Sequence, residues 1–303
     1  MLMLKKHKGD LLAILSACLF GLSPLWVTAF SKGGGNSMMM ALLRNVFFLP
    51  VSILLLRRSG QPIFPKIDRT TAVKILLLSA GGSGLTQLLL FASYSFMASG
   101  VCTTVHFIYP LFVFLLGAVF YHERLSRRSV LCLTLCMAGL LCFWPRGGAI
   151  SMVGLLIALL SGLTYAFYMV YLDKGGFEGI SALQMQFCLA LCNAVLMLIC
   201  CVLSGNLTFD LTPTAWLLGI MAAHVLGFGV VLCQMGIEAI GAARASLLST
   251  FEPITSLIVG VLFLHEHLDP VAILGACIIL VSVMLTSLPE KTLNKLMHHH
   301  DHD

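Results

Sequence analysis

Charged side chains are scarce in this sequence. Only 10% of its 303 residues are Asp, Glu, Lys or Arg, whereas soluble proteins of this size carry about 25%. Hydrophobic residues make up 59% of the chain, and the mean hydropathy is +0.98. Because so few polar groups cannot cover one globule of this length, the composition excludes a soluble protein and predicts a chain dissolved in a bilayer.

Several sequence motifs for nucleotide binding, metal binding and redox chemistry are also missing. The sequence has no GxxxxGK[ST] phosphate-binding loop, no His-Glu-x-x-His zinc motif and no Cys-x-x-Cys pair. Its 11 cysteines lie in or beside apolar runs and are interpreted as small buried hydrophobic residues. The sequence has no basic stretch interleaved with aromatic residues, so no nucleic-acid partner is predicted. We therefore predict no cofactor, no metal, no catalytic residue and no enzymatic activity.

Ten apolar runs predict an all-α integral membrane protein with ten transmembrane helices. Most reach the ~20 residues that cross the hydrocarbon core, although the fifth and the last are short. Continuous rather than alternating apolarity favours helices over barrel strands. The first run follows "KKHK" and contains "VTA", so a cleaved signal peptide is the competing interpretation. The runs are 10–30, 37–56, 72–97, 101–120, 129–144, 151–172, 181–203, 214–239, 243–264 and 270–288.

The positions of Lys and Arg predict the orientation. With ten spans and a cytoplasmic amino terminus, only Lys32 and Arg146 fall outside, Arg44 lies within a span, and the other Lys and Arg residues fall inside. This positive-inside bias predicts a multi-pass protein of the plasma or inner membrane with both termini in the cytoplasm. The net charge of +5 is then explained by membrane insertion.

The chain repeats itself. A shift of 143 residues pairs Pro110 with Pro253, and a shift of 145 pairs "GDLLAILSACLF" (9–20) with "GLLIALLSGLTY" (154–165). Five helices per copy is an odd number, so the second copy is expected upside down in the membrane. We predict repeats at 9–144 and 151–288, followed by a cytoplasmic His-rich tail at 289–303, whose ability to bind metal stays open.

One motif occurs in both copies, as "VFYHERLS" (119–126) and "LFLHEHLD" (262–269). Neither has the second His that a zinc site requires, so we expect each Glu to cap or brace the following helix. These segments, with "YP" at 109–110, "GAARASLLSTFEP" at 241–253 and "ALLRNVFF" at 41–48, resemble the EamA-type permeases of the drug/metabolite transporter superfamily. The sequence departs from that pattern in having His122 and His265 where Gly is usual.

The resemblance implies a ten-helix carrier around a central cavity, lined mainly by helices 1, 3, 4, 6, 8 and 9. Members of this superfamily commonly export amino acids or related metabolites. The function expected from this resemblance is therefore a secondary active transporter that exports a small amino-acid-like metabolite by alternating access, with protons as the candidate coupling ion. The oligomeric state and the cargo stay open.

Polar groups inside the membrane supply the candidate site. Each is costly in hydrocarbon, and counting residues along the helices places Arg44, His224 and Glu252 near the membrane midplane. Glu252 is either a proton-coupling carboxylate, a partner for a cargo amine or a fixed partner of Arg44 or of a His. Glu238 is expected near the cytoplasmic end, where Arg244 is an available partner. Pro110 and Pro253 should free the carbonyls of His106 and Ser249. The predicted cargo-binding residues are Arg44, Gln87, His106, Tyr109, Tyr165, His224 and Glu252.

Three alternatives remain at this stage. An effluxer of cationic drugs would use Glu252 with aromatic walls, but Arg44 disfavours it unless the two charges neutralise each other. An intramembrane enzyme would need a ligand or catalytic constellation that the sequence lacks. A receptor or scaffold is disfavoured because no soluble domain is visible.

Overall fold

All regular secondary structure is helical in the part of the chain that a computed structural model describes, which is residues 2–96, 99–123, 126–142, 151–264 and 270–287. No strand occurs in these ranges, as the continuous apolar runs predict. The helices of the first half are α1 (Leu2–Gly21), α2 (Ser23–Lys32), α3 (Ser37–Arg58), α4 (Arg69–Leu77), a π-helical segment (Leu78–Ser83), α5 (Gly84–Ser93), α6 (Ser99–His106), α7 (Tyr109–Tyr121) and α8 (Arg127–Leu141).

The second half has fewer interruptions. Side-chain caps begin its first three helices: Ser151, Ser181 and Thr212 each accept a hydrogen bond from a backbone N–H in the first turn. The helices are α9 (Met152–Lys174), α10 (Ala182–Leu203), α11 (Pro213–Ile240), α12 (Ala242–Leu248), α13 (Phe251–Leu264) and α14 (Pro270–Ser287).

Eight stretches of these helices are long and apolar enough to cross a membrane, where the sequence predicts ten. The predicted fifth and tenth spans are not among these eight, and each borders residues outside the described ranges. Helix α8 has 15 residues, and the apolar stretch found among the described residues of α14 is Ile273–Ser282. Helices α8 and α14 pack against each other. The multi-pass helical architecture is confirmed, and the number of ten spans stays a prediction.

The spans that contain Pro110 and Pro253 are each broken about one turn before the proline. Helix α6 ends at His106 and α7 begins at Tyr109, while α12 ends at Leu248 and α13 begins at Phe251. The prediction that the Ser249 carbonyl is free is wrong, because this carbonyl accepts a hydrogen bond from the N–H of Glu252 at 3.0 Å. A tighter turn thus reuses the acceptor that the proline released.

The first His-Glu turn is described as far as Glu123. His122 has φ 52° and ψ 32°, the left-handed conformation that normally favours Gly, and it ends α7. Glu123 forms an ion pair with Lys174 at 2.8 Å, so it ties α7 to the end of α9 instead of capping α8, whose cap is Ser126. Arg124, Leu125, the second turn at 265–269 and the tail lie outside the described residues.

Helices from the two halves interleave. Helix α1 packs antiparallel to α11, since Gly9 lies against Ile240 and the Ser16 hydroxyl donates to the Gly229 carbonyl at 2.7 Å. Helix α5 packs antiparallel to α9 in the same manner, and Thr86 and Thr164 share a hydrogen bond of 2.8 Å. The core therefore consists mainly of contacts between the halves.

We call the end of the bundle at which α1 begins the α1 face, and the other end the opposite face. At the α1 face the Arg244 guanidinium donates to both carboxylate oxygens of Asp10, at 2.6 and 2.8 Å. The Asp10 residue is only 8% exposed. The predicted partner of Arg244 was Glu238, so this bidentate pair between α1 and α12 corrects the expectation.

Candidate functional site

A central cavity of about 170 Å³ lies between the two halves. Its wall reaches Met40 in the first turn of α3 and Phe91 in the last turn of α5, both close to the opposite face. On the side of the α1 face, the wall includes Tyr168 and Cys233. The cavity therefore lies inside the bundle, between its two ends.

Two opposite charges face this cavity without pairing. Arg44, from the second turn of α3, and Glu252, from the first turn of α13, both line it. They form no ion pair with each other, and neither side chain has a hydrogen-bond partner among the described residues. A fixed Arg44–Glu252 pair, one of the predicted alternatives, is therefore absent from this structure. Each group is available to a ligand of opposite charge.

Amides and hydroxyls form a second part of the wall. Asn45 donates to the Gln87 side-chain oxygen at 3.2 Å, and Gln87 donates to the Ser83 carbonyl at 3.1 Å. Asn193, from α10, donates to the Ser83 hydroxyl at 3.0 Å and accepts from Ser79 at 2.6 Å. This network joins α3, the π-helical segment, α5 and α10. It fixes the polar groups that line the cavity and includes the predicted residue Gln87.

The π-helical segment helps to bring the two halves together here. A β-carbon at Gly82 would lie 3.0 Å from the Tyr168 β-carbon, and one at Gly84 would lie 2.8 Å from the Asn193 side-chain oxygen. Small residues at these positions let α9 and α10 approach the segment closely. Single π-helical turns within α-helices are frequent at functional sites.

Aromatic rings and a histidine form the wall towards α9. His106 is 8% exposed, and its Nδ1 shares a hydrogen bond of 2.9 Å with the Ser161 hydroxyl. The Tyr165 ring lies 5.5 Å from the imidazole and stacks on Tyr168 at 5.7 Å, with an interplanar angle of 20°. These groups offer a surface on which the apolar or aromatic part of a small molecule can pack.

The structure brings five of the seven predicted residues to the cavity wall: Arg44, Gln87, His106, Tyr165 and Glu252. It does not place Tyr109 or His224 there. Tyr109 is 1% exposed and packs edge-on against Tyr165, with its hydroxyl buried and unpartnered. The His224 Nδ1 lies 2.6 Å from the Ile220 carbonyl one turn back. Both positions follow from the face that each side chain presents, which residue counting along a helix does not give.

Sequence reasoning missed Asn45, Asn193 and Tyr168 as wall residues. Asn45 directly follows the predicted Arg44, and Asn193 is the one Asn within α10, so an uncharged amide inside an apolar run was the available signal. Tyr168 gave none, because a tyrosine three residues from Tyr165 is equally expected in a packed core. Asp10 was not predicted as the partner of Arg244, because it lies at the start of its apolar run, where a charged residue is common.

No metal site accompanies this cavity in the part of the chain that the structure describes. No group of three or more His, Cys, Asp or Glu side chains comes together there, and all 11 cysteines are free thiols. The uncharged and charged groups of the wall suit reversible binding of a polar small molecule.

Comparison with known proteins identifies the framework. A model of the EamA-like transporter family matches the chain twice, over residues 7–144 and 152–288. The uncharacterized transporter sll1319 of Synechocystis is 26% identical over 267 residues, which cover 82% of this chain and 79% of that protein. The uncharacterized transporter YcbK of Bacillus subtilis is 26% identical over 88% of both chains.

Two further similarities are more limited. The chloramphenicol-sensitive protein RarD of Pseudomonas aeruginosa is 30% identical over 187 residues, 60% of this chain and 59% of RarD. A solved structure titled "Crystal structure of protein" superimposes with a TM-score of 0.81 at 17% identity, covering 95% of this chain and 99% of the other. At that identity, the superposition shows a shared fold alone.

Proposed function

Because the chain belongs to the EamA-like transporter family and is a membrane transporter, we propose that it is a secondary carrier exporting a small amino-acid-like metabolite. The membrane is the plasma or inner membrane, and both termini are cytoplasmic. The proposed cargo carries an ammonium group and a carboxylate on the same small molecule.

The observation that carries this proposal is the unpaired Arg44 and Glu252 in one cavity wall. A buried charge without a partner is costly, and a zwitterion offers a partner to each. The Arg44 guanidinium suits a carboxylate, which it can bind with two parallel hydrogen bonds. Glu252 suits an ammonium group. Gln87 and His106 lie in the same wall and can orient the remainder of the cargo.

The proposed mechanism is alternating access by two inverted five-helix halves that rock around the cavity. The antiparallel packing of α1 on α11 and of α5 on α9 supports this arrangement, since matched helices make matched contacts across the halves. Glu252 is the proposed site of proton coupling. When the cavity opens to one side the carboxylate takes up a proton, and when it opens to the other side the proton leaves.

The charge-pair hypothesis is tested with matched ligands on purified protein in proteoliposomes. Counterflow of a panel of amino acids is compared with that of their methyl esters, which lack the carboxylate, and their N-acetyl forms, which lack the ammonium group. The parent should prefer the zwitterion by about tenfold or more, because a hydrogen bond to a charged group contributes about 1.5–3 kcal/mol. Arg44→Gln should remove the preference over the ester only.

Arg57→Gln provides the control, since Arg57 is exposed at the end of the same helix. It should leave both preferences unchanged. Equal counterflow of zwitterion and ester in the parent would contradict a role of Arg44 in binding a carboxylate.

A second candidate is efflux of aromatic or cationic drugs. Phe20, Phe91, Tyr165 and Tyr168 in the cavity wall favour it, since such side chains pack against flat rings and bind cations over their faces. The name of RarD refers to chloramphenicol, which therefore belongs in the panel. Resistance of cells expressing this protein to chloramphenicol and to ethidium, lost in Glu252→Gln, would favour drug efflux over metabolite export.

A further inference from the structure

A second cavity lies at the α1 face, between the end of α9, the start of α10 and the end of α11. We call it the end cavity; its volume is about 300 Å³. Phe177, Met185 and Ile237 form an apolar side, and each of them is buried. Asp173, Glu178 and Glu238 supply three carboxylates, and none of the described residues that line it is Lys or Arg. An apolar wall with one sign of charge suits the amine end of a small organic cation.

The three carboxylates are not equivalent. Asp173 is already used, because it accepts a hydrogen bond from the Ala242 N–H at 3.2 Å and lies 3.5 Å from the Lys174 ammonium. Glu178 and Glu238 are exposed, and neither side chain forms an ion pair or hydrogen bond with another described residue. Two carboxylates are thus left available, while Asp173 holds α9 to α12.

Gln234 supplies an independent sign of a ligand. It is 3% exposed and lines the end cavity, and its side-chain oxygen is buried without any hydrogen-bond partner. A buried carbonyl oxygen without a donor is unfavourable, so such groups usually mark a site that something else completes. An ammonium group brings three N–H donors and no acceptor, which matches what Gln234 and the two free carboxylates lack.

Gln234 also connects the end cavity to the central one. Its side-chain nitrogen donates to the Tyr168 hydroxyl at 3.1 Å, and Tyr168 lines the central cavity. One hydrogen-bonded pair of side chains therefore lies between the two cavities. A cargo amine held by Gln234 is one side chain away from the site of Arg44 and Glu252.

We propose that the end cavity is a second binding site for the ammonium group of the cargo, at the α1 face of the carrier. Glu178 and Glu238 attract the cation at the mouth, and the Gln234 oxygen accepts a hydrogen bond from it at the inner end. The proposal rests on the proposed transport function. In this proposal, the hydrogen bond between Tyr168 and Gln234 separates the two cavities and breaks when cargo moves from one to the other.

The test uses the full-length protein in nanodiscs, with a single cysteine introduced as Ala182→Cys in a cysteine-free background. Ala182 lines the end cavity. Its labelling rate is measured with a cationic and an anionic methanethiosulfonate of similar size. The cationic reagent should react at least tenfold faster, and Glu178→Gln with Glu238→Gln should bring the two rates together. Ser204→Cys, exposed beyond the end of α10, is the control and should show no such bias.

Competition separates binding from simple surface charge. Ethylammonium chloride should slow the labelling of Ala182→Cys at least threefold more than sodium chloride of the same ionic strength, and Gln234→Leu should abolish that excess protection. Equal protection by the two salts, or equal rates for the two reagents in the parent, would overturn the proposal. Neither readout requires transport. A negative result here would therefore not affect the proposed role of Arg44 and Glu252 in the central cavity. The labelling result can also be interpreted if that role is disproved.

Discussion

The two halves of the chain share small residues and differ in their charges. Ser16 matches Ser161 at a shift of 145, and Gly84 matches Gly227 at a shift of 143; all four are buried. Charged residues within the bundle have uncharged counterparts in the other half. By the same two shifts, Asp10 corresponds to Leu155, Arg44 to Leu189, Arg244 to Val101 and Glu252 to Tyr109.

The contacts explain this difference. Gly84 makes room for Asn193, and Gly227 makes room for Phe48, so close approach of helices is needed in both halves. A charge inside a membrane is costly and is retained where it has a specific use. Asp10 and Arg244 bind each other, whereas Leu155 packs on an apolar cluster of Cys102, Val105 and Ala158. The duplicated framework supplies packing in both halves, whereas the charges within the bundle are confined to one half at each matched position.

The largest effect is expected where Glu252 differs from Tyr109. Glu252→Gln keeps the size and hydrogen-bonding capacity but removes the titration, so pH-driven accumulation of cargo should fall by at least tenfold. Downhill counterflow should continue at a reduced rate, because a neutral amide is a weaker partner than a carboxylate for the cargo ammonium group. The measurement is uptake into proteoliposomes with and without an imposed pH gradient. Unchanged gradient-driven accumulation would exclude proton coupling through this residue.

Tyr109→Phe is the matched control for that experiment, because Tyr109 occupies the corresponding position and does not line the cavity. Its hydroxyl is buried without a partner, so its removal should leave transport within about twofold of the parent. A loss of transport as large as that in Glu252→Gln would instead place Tyr109 in the cargo site.

The Asp10–Arg244 pair can be converted to the apolar residues of the other half. Asp10→Asn alone leaves Arg244 without its carboxylate and should lower the free energy of unfolding by about 3–5 kcal/mol. The double variant Asp10→Leu, Arg244→Val reproduces Leu155 and Val101 and should recover most of that loss, since a well-packed apolar pair often replaces a buried ion pair at little cost. Thermal unfolding in detergent measures both. Equal destabilisation by the single and the double variant would show that Arg244 has a second, independent role.

The matched glycines should respond alike. Gly227→Ala would bring a β-carbon to 2.2 Å from the Phe48 ring, and Gly84→Ala would bring one to 2.8 Å from Asn193. Each should lower the free energy of unfolding by about 1–3 kcal/mol through overpacking. Gly81→Ala is the control in the π-helical segment, because its nearest neighbour would be Phe167 at 3.8 Å. Destabilisation by Gly81→Ala to the same extent would point to backbone conformation rather than crowding.

The smallest effect is expected at His122. Its left-handed conformation is unfavourable for a side chain with a β-carbon, so His122→Gly should raise the free energy of unfolding by about 0.5–1 kcal/mol. His122→Ala keeps the β-carbon and should give no gain. A loss of stability in His122→Gly would mean that the imidazole makes a compensating contact.

The sequence predicted the framework well because its signals are local. The length of apolar runs gave the helices, and the prolines at 110 and 253 marked two of the broken spans. The sequence predicted the residues of the central cavity wall less completely. Residue counting gives depth along a helix but not the face of a side chain, so the predicted residues Tyr109 and His224 lie outside the wall of the central cavity, while Asn193 lines it and was not predicted.

By itself, the sequence determined that this protein dissolves in a bilayer as helices and that its plan is duplicated, because composition and repetition need no knowledge of packing. Only the tertiary structure decided how the charges are used. It brought Arg244 to Asp10, 234 residues away in the chain, and left Arg44 and Glu252 facing one cavity unpaired. Whether a charged residue forms an ion pair depends on which faces of distant helices meet, since a long-range ion pair forms only where packing brings its two groups into contact.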